Sequence, residues 1–210
     1  MLAVPLIVTA VSAFLLGSIP NGFLVAKAKG IDIREHGSKN IGATNVLRVL
    51  GKGPGYTVFA LDALKGIGAV LLGRWLAPSP DQLGEIIGGI SCIFGHSYTP
   101  WLGFKGGKGV ATTAGILLTL FPPPILLIVL AVWLIFFYST RYVSVASLAA
   151  AVSIPICVWL LVVRGNSHGT PLLVFGLTVC LLVVLRHKTN IARLLNGTET
   201  RFAKKVKAEK

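Results

Sequence analysis

Charge is scarce in this 210-residue chain. Only 13% of its residues are Asp, Glu, Lys or Arg, against about 25% in an ordinary soluble domain. Acidic residues are the scarcest, 7 against 20 Lys and Arg. So few polar side chains cannot cover a water-facing surface, which excludes a soluble globular protein. The 54% hydrophobic content excludes a disordered chain. Cysteine is sparse too: Cys92, Cys157 and Cys180 each lie in an apolar run, with no CxxC pair and no nearby His. That excludes a disulfide-stapled secreted module and reads as buried inert thiols, with no metal site and no cofactor expected. No Ser, His and acid form a recognisable nucleophile elbow, so serine-type hydrolysis has no support.

Long apolar runs are what the chain has in quantity, with a mean hydropathy of +0.79. Crossing a hydrocarbon core about 30 Å thick takes about 20 helical residues. Seven apolar segments are found, at roughly 3–26, 55–77, 83–103, 109–121, 124–139, 143–163 and 170–185. The chain is therefore predicted to be an all-α integral membrane protein with about seven transmembrane helices. Residues 1–200 form one polytopic membrane domain and 201–210 a basic cytoplasmic tail. Segments four, five and seven are short, and segment four enters part way or thins the bilayer around it. Pro78-Ser79-Pro80-Asp81, Pro122-Pro123-Pro124 and Arg164–Gly169 separate spans. Pro20 and Pro155 fall inside spans one and six and are expected to kink them.

The +13 net charge is mostly a topology signal. The first ten residues carry no Lys or Arg, so span one reads as a retained helix and not as a cleaved signal peptide. Alternate loops then hold nearly all the basic residues: Lys27 to Lys52, Lys105 and Lys108, Arg141, and the tail from Arg186 onward. The opposite side holds only Arg74 and Arg164. Basic loops stay in the cytoplasm, which puts the N-terminus outside and the C-terminus inside. Nucleic acid is not expected as a partner; a basic tail near anionic headgroups explains the charge more simply. Asn196-Gly197-Thr198 fits a glycosylation triplet, but on the cytoplasmic side it means nothing.

The polar residues gather on that same side, in three clusters. The first is Gly103-Phe104-Lys105-Gly106-Gly107-Lys108-Gly109. Its glycines can expose successive N–H groups to an oxyanion, its lysines add charge, and it leads into the positive end of a helix. It reads as a phosphate cradle, though it lacks the Gly-Lys-Ser/Thr of a Walker A loop; the alternative is a flexible linker whose lysines only enforce topology. The second cluster, Ser38 to Asn45, packs hydroxyl and amide donors into eight positions. Thr44 or Asn45 can alternatively serve as a helix cap. The third holds His187 and Asn190, three apart on one helical face, between Arg186 and Arg193. His96 is read as a packing or positioning residue. Asp62 and Lys65 lie three apart inside span two, either as a mutual ion pair or with Lys65 reaching the cytoplasmic pocket.

Two classes of function fit a cationic pocket at the cytoplasmic face. One is an enzyme that joins a phosphorylated molecule to something lipidic; the other is a transporter for an organophosphate or other anion. Transporters place their sites near the midplane between internal repeats, and no repeat is visible here, so the enzyme is favoured.

Four motifs then carry a resemblance. Gly17-Ser18-Ile19-Pro20-Asn21-Gly22, Gly37 to Asn45, Gly103 to Thr112, and Arg186 to Ile191 resemble, in order and along nearly the whole chain, the bacterial acyl-phosphate:glycerol-3-phosphate acyltransferase family, PlsY. The resemblance implies transfer of a fatty acyl group from acyl phosphate to the 1-hydroxyl of sn-glycerol 3-phosphate. The products are lysophosphatidic acid and phosphate, the first step of phospholipid biosynthesis. It implies a bacterial cytoplasmic (inner) membrane location, membrane lipid around the protein, and a soluble acyl-phosphate-producing enzyme as a candidate partner. Carried onto this sequence, Lys105, Lys108 and the amides of Gly106 and Gly107 hold the glycerol 3-phosphate phosphate. Ser38, Asn40, Thr44 and Asn45 bind the acyl-phosphate head or donate to the carbonyl oxyanion. His187 and Asn190 position the hydroxyl or phosphate, and Arg48, Lys65 and Arg141 add charge. Asp62, His96 and Glu199 are structural. No side chain stands out as general base, so a substrate phosphate oxygen takes the proton.

Overall fold

The computed structural model describes residues 2–160 and 169–202, and every regular element among them is helical. In chain order these are α1 (Ala3–Ser18), α2 (Asn21–Lys27), α3 (Ala43–Leu50), α4 (Lys52–Leu76) and α5 (Leu83–Ser97). A 3₁₀ turn (Pro100–Leu102) follows, then α6 (Val110–Leu120), α7 (Pro123–Thr140), α8 (Val143–Val158), α9 (Thr170–Arg186) and α10 (Lys188–Leu195). The expected break at Arg164–His168 and the basic residues from 203 onward lie outside the described residues.

Among the described residues, three helical stretches are long and apolar enough to cross a membrane: Ala3–Lys27, Lys52–Leu76 and Pro123–Thr140. A fourth is reached if α9 and α10, bent by 56° at their junction, count together. α6 has only 11 residues, which span about 16 Å at 1.5 Å per residue, half of a hydrocarbon core. The third expected segment, 83–103, ends its α-helix early, at Ser97.

The first expected span runs as one stretch, Ala3–Lys27, interrupted at Ile19 and Pro20 between α1 and α2. Proline cannot donate an amide hydrogen, and the chain breaks between Ser18 and Asn21, freeing carbonyls that lipid cannot satisfy. The protein satisfies them from its interior. The Thr99 hydroxyl donates to Ser18 O at 2.6 Å, and the Lys65 ammonium donates to Ile19 O at 3.0 Å. Lys65 also pairs with Asp62 at 2.9 Å, both side chains almost fully buried. Pro155, by contrast, stays inside α8.

Packing is inverted relative to a water-soluble protein. Large apolar side chains of α1 and α7, among them Val4, Val11, Leu127 and Ile135, point outward. The interior instead uses small residues for close approach. A Cβ on Gly17 would lie 2.1 Å from the Cys92 carbonyl oxygen, and one on Gly115 would lie 2.0 Å from that of Ala63. Those contacts seat α1 on α5 and α6 on α4. One apolar core joins α5 to α9 around Phe175, Ile116 and Ile154. A second, built on Ile33, Ile41, Val46 and Val58, anchors the 28–42 loop and α3 against α4.

Candidate active site

A single cavity of about 670 Å³ collects residues from every polar cluster of the sequence. The 28–42 loop and α3 supply Ser38, Asn40, Thr44, Asn45 and Arg48. The glycine–lysine loop supplies Lys108, the α9–α10 junction supplies His187 and Asn190, and the returning C-terminal segment supplies Glu199 and Phe202. Asp62 and His96 line it as well.

The first wall is held by one carboxamide. Asn45 Nδ2 donates to the carbonyls of Asn40 at 2.8 Å and His36 at 3.0 Å, with that of Ile33 at 3.4 Å, while Oδ1 accepts the Ser38 N–H at 2.8 Å. Asn45 is 2% exposed, and every polar atom of its side chain is engaged with the loop. Asn45 therefore shapes the loop from within, and the hydroxyls of Ser38 and Thr44 are left to face the cavity. Asn40 Oδ1 accepts the Gly42 N–H at 2.8 Å, a local turn that ends where α3 begins.

The glycine–lysine wall is built differently from the sequence expectation. The amides of Gly106 and Gly107 donate to Ser97 O at 3.1 Å and His96 O at 2.9 Å. Each backbone N–H carries one hydrogen, so these two amides are not available to a phosphate. Their carbonyls accept from Arg186, Nη2 to Gly106 at 3.0 Å and Nε to Gly107 at 3.1 Å. A Cβ on Gly107 would fall 2.1 Å from His96 Nε2, so the glycine serves close packing. What remains for an anion is Lys108 and the start of α6, whose Val110 and Ala111 line the cavity and whose first amides have no intrahelical acceptor. Lys105 is exposed and does not line the cavity.

Across from Lys108 lies a chain of polar contacts. Lys108 Nζ donates to Asn190 Oδ1, and Asn190 Nδ2 donates to Glu199 Oε1 at 2.6 Å. Glu199 also accepts from Ser144 Oγ at 2.8 Å and Arg193 Nε at 2.7 Å. Burial works against the Glu199 charge, but those hydrogen bonds outweigh it and hold the carboxyl below its usual range. Burial lowers the Lys108 ammonium to about 8; Glu199 opposes this, and Arg193, Arg48 and Arg186 add to it. His187 is 2% exposed. Its Nδ1 lies 2.8 Å from the Val183 carbonyl; a carbonyl only accepts, so Nδ1 carries the proton and Nε2 is left for the cavity. Arg48 reaches the Thr200 carbonyl at 3.3 Å and lies over the Phe202 ring.

These features make a cationic hollow at one end of a helix bundle, fitted to anionic head groups. The family model described as Glycerol-3-phosphate acyltransferase matches residues 7–197. The chain belongs to the glycerol-3-phosphate acyltransferase family. Curated relatives of that name include one from Desulforamulus reducens, 47% identical over 196 residues, covering 93% of this chain and 94% of the relative. Another, from Thermosynechococcus vestitus, is 43% identical over 209 residues, covering 95% and 96%. The chain is also similar to the crystal structure of PlsY, an integral membrane glycerol 3-phosphate acyltransferase, in its glycerol 3-phosphate form: TM-score 0.83, 40% identity, 94% of this chain and 96% of that one covered. The lysophosphatidic acid form of PlsY gives a TM-score of 0.81 at the same identity, covering 94% and 95%.

Within this member of the acyltransferase family, two further residues assigned from sequence do not themselves line the cavity. Lys65 is occupied by Asp62 and Ile19 O. Arg141 lies over the Tyr138 ring, and its carbonyl accepts the Phe202 N–H at 2.9 Å. Asp62 additionally accepts from Asn21 Nδ2 at 3.0 Å, and His96 Nδ1 lies 3.7 Å from it. The sequence reading missed Arg186 as the clamp on the glycine loop, although it stands next to His187. It also missed Trp133, Phe137 and Phe202 as cavity walls, because an aromatic side chain in an apolar run carries no signal of which side it faces.

Proposed function

We propose that this protein catalyses acyl transfer from acyl phosphate to the 1-hydroxyl of glycerol 3-phosphate, at the membrane and on its cytoplasmic face. Support comes chiefly from one observation: three polar segments distant in sequence meet in one cationic cavity. Two anionic substrates must be held together there against their mutual repulsion, which is the work of fixed positive charge.

The 1-oxygen of glycerol 3-phosphate attacks the acyl carbonyl carbon. An ester bond forms, the bond from that carbon to the phosphate oxygen breaks, and phosphate leaves. The hydroxyl proton passes to a substrate phosphate oxygen. Acyl phosphate is already activated, so no covalent protein nucleophile is required. Lys108, with the first turn of α6, binds the glycerol 3-phosphate phosphate. Ser38 and Thr44 donate to the acyl-phosphate head, and Arg48 adds charge. Asn190 fixes Lys108, and His187 orients the attacking hydroxyl through Nε2. Lys105 and Arg141 contribute long-range attraction only.

Seven membrane-embedded segments fit the reading, with α1 and α2 as one, then α4 to α9, and with the N-terminus outside and the C-terminus inside a bacterial inner membrane. A soluble enzyme that makes acyl phosphate is the expected supplier. Labelling of the 201–210 tail from the outside of intact cells would overturn that orientation.

Purified protein in detergent, given both substrates, should form lysophosphatidic acid and phosphate. Turnover without sealed vesicles excludes a pure anion transporter; no turnover would overturn the enzyme reading. His187→Gln should retain measurable activity, whereas complete loss with intact folding would make His187 the base.

A further inference from the structure

Beyond α10 the chain turns back toward α7 and α8. The amides of Thr198 and Glu199 donate to Arg193 O at 2.8 and 3.2 Å, and the Glu199 carboxylate is committed to Ser144, Asn190 and Arg193. Further on, the Phe202 N–H donates to Arg141 O at 2.9 Å. Its ring meets that of Phe137 edge-on, with centroids 5.9 Å apart and planes at 70°. Arg201 lies over the Tyr142 ring, 4.9 Å from its centroid. Residues 199–202 are thus tied at both ends, as a strap from α10 to the turn between α7 and α8.

One side chain from a distant part of the sequence meets the strap between its ties. Arg48, in the last turn of α3, lines the catalytic cavity. Its Nη2 donates to Thr200 O at 3.3 Å, and its guanidinium lies over the face of the Phe202 ring, 5.1 Å from the centroid. Phe202 lines the cavity too. Among the described residues no carboxylate pairs with Arg48, and Glu199 acts on it only through space.

These partners suit a cation that must serve a substrate. An arginine side chain has many rotamers and has to be held in one to meet an anion. A carboxylate would hold it but would also offset its charge. A carbonyl oxygen takes a single N–H donor of the several that a guanidinium carries, and a ring face attracts the cation without neutralising it. Arg48 is thereby oriented and remains a full positive charge, with donors left for a phosphate.

We propose that Phe202, together with the Thr200 carbonyl, is a positioning residue for Arg48: the strap aims the guanidinium into the cavity, where it meets a substrate phosphate. The proposal rests on the acyltransferase reading. Phe202 acts through Arg48 and takes no part in bond making.

The experiment measures KM and kcat for both substrates with purified protein in detergent, in a double-mutant cycle on Phe202 and Arg48. Phe202→Leu keeps apolar bulk and removes the ring face. It should raise KM for at least one of the two substrates about fivefold, the scale of a cation–π contact, with kcat little changed. Phe202→Tyr, which keeps a ring face, should hold KM at the unmodified value. Once Arg48→Ala has removed the guanidinium, Phe202→Leu should change KM no further. If Phe202→Leu does not fold, Phe202→Met carries the test. A KM unmoved by loss of the ring, or raised by the same factor with and without Arg48, overturns the proposal and leaves Phe202 as a cavity wall only. So does an Arg48→Ala protein with the unmodified KM for both substrates. An unmodified protein that turns over no acyl phosphate refutes the parent reading instead, before any variant is compared.

Discussion

The two polar loops that wall the cavity reach the same end by opposite means. In the 28–42 loop one buried side chain, Asn45, satisfies the backbone at four points, and Ser38 and Thr44 are left lining the cavity. In the glycine–lysine loop the backbone satisfies itself against Ser97 and His96, with Arg186 pinning the carbonyls, and one long cation, Lys108, is left over. The difference teaches that a run of glycines or amides near a membrane is first a solution to backbone hydrogen bonding. In the proposed mechanism the groups that touch substrate are the ones that this solution leaves facing the cavity.

Asn45→Ala tests the first plan and should have the largest effect. It strips partners from several backbone groups in a buried setting, each costing about 1–3 kcal/mol. Melting temperature should fall by several degrees and turnover by at least a hundredfold; an unchanged melting point with full turnover would break the comparison. Lys108→Ala tests the second plan. Losing one charge-assisted contact of about 1.5–3 kcal/mol corresponds to a roughly 10- to 150-fold rise in KM for glycerol 3-phosphate, with a smaller rise for acyl phosphate. An unchanged constant would remove this lysine from the site.

The same lysine gives a pH signature. Its ammonium titrates at about 8, so it is mostly cationic below that pH and mostly neutral above. KM for glycerol 3-phosphate should therefore climb between pH 7 and 9, and Lys108→Arg, which stays charged, should flatten the climb. A rise identical in both proteins would assign the titration to another group. Gly107→Ala comes next: the new methyl meets His96 Nε2, so kcat should drop about tenfold while the protein remains folded. Lys105→Ala should be the mildest, a change of KM under threefold at moderate salt, because an exposed charge is screened. A tenfold effect there would put Lys105 in the site after all.

Much of this was legible without coordinates. Apolar run length announced membrane helices, and the motifs announced the family, because both are local patterns. Pro20 announced an interruption, but whether a proline kinks a helix or breaks it depends on who receives the freed carbonyls. Here Thr99 and Lys65 do, from parts of the chain no local window contains. For the same reason Lys65 looked available to a phosphate, although the sequence also offered Asp62 as its partner.

By itself, then, the sequence determined the solvent: too few charges for water, and apolar runs of membrane length. It also placed the polar chemistry in three clusters, since composition and spacing are properties of a chain. Only the tertiary structure decided which atoms of those clusters stay unengaged, and that the clusters meet in one cavity. A hydrogen-bonding group has few partners to give, and whether a neighbour 80 residues away has already taken them is a fact of packing.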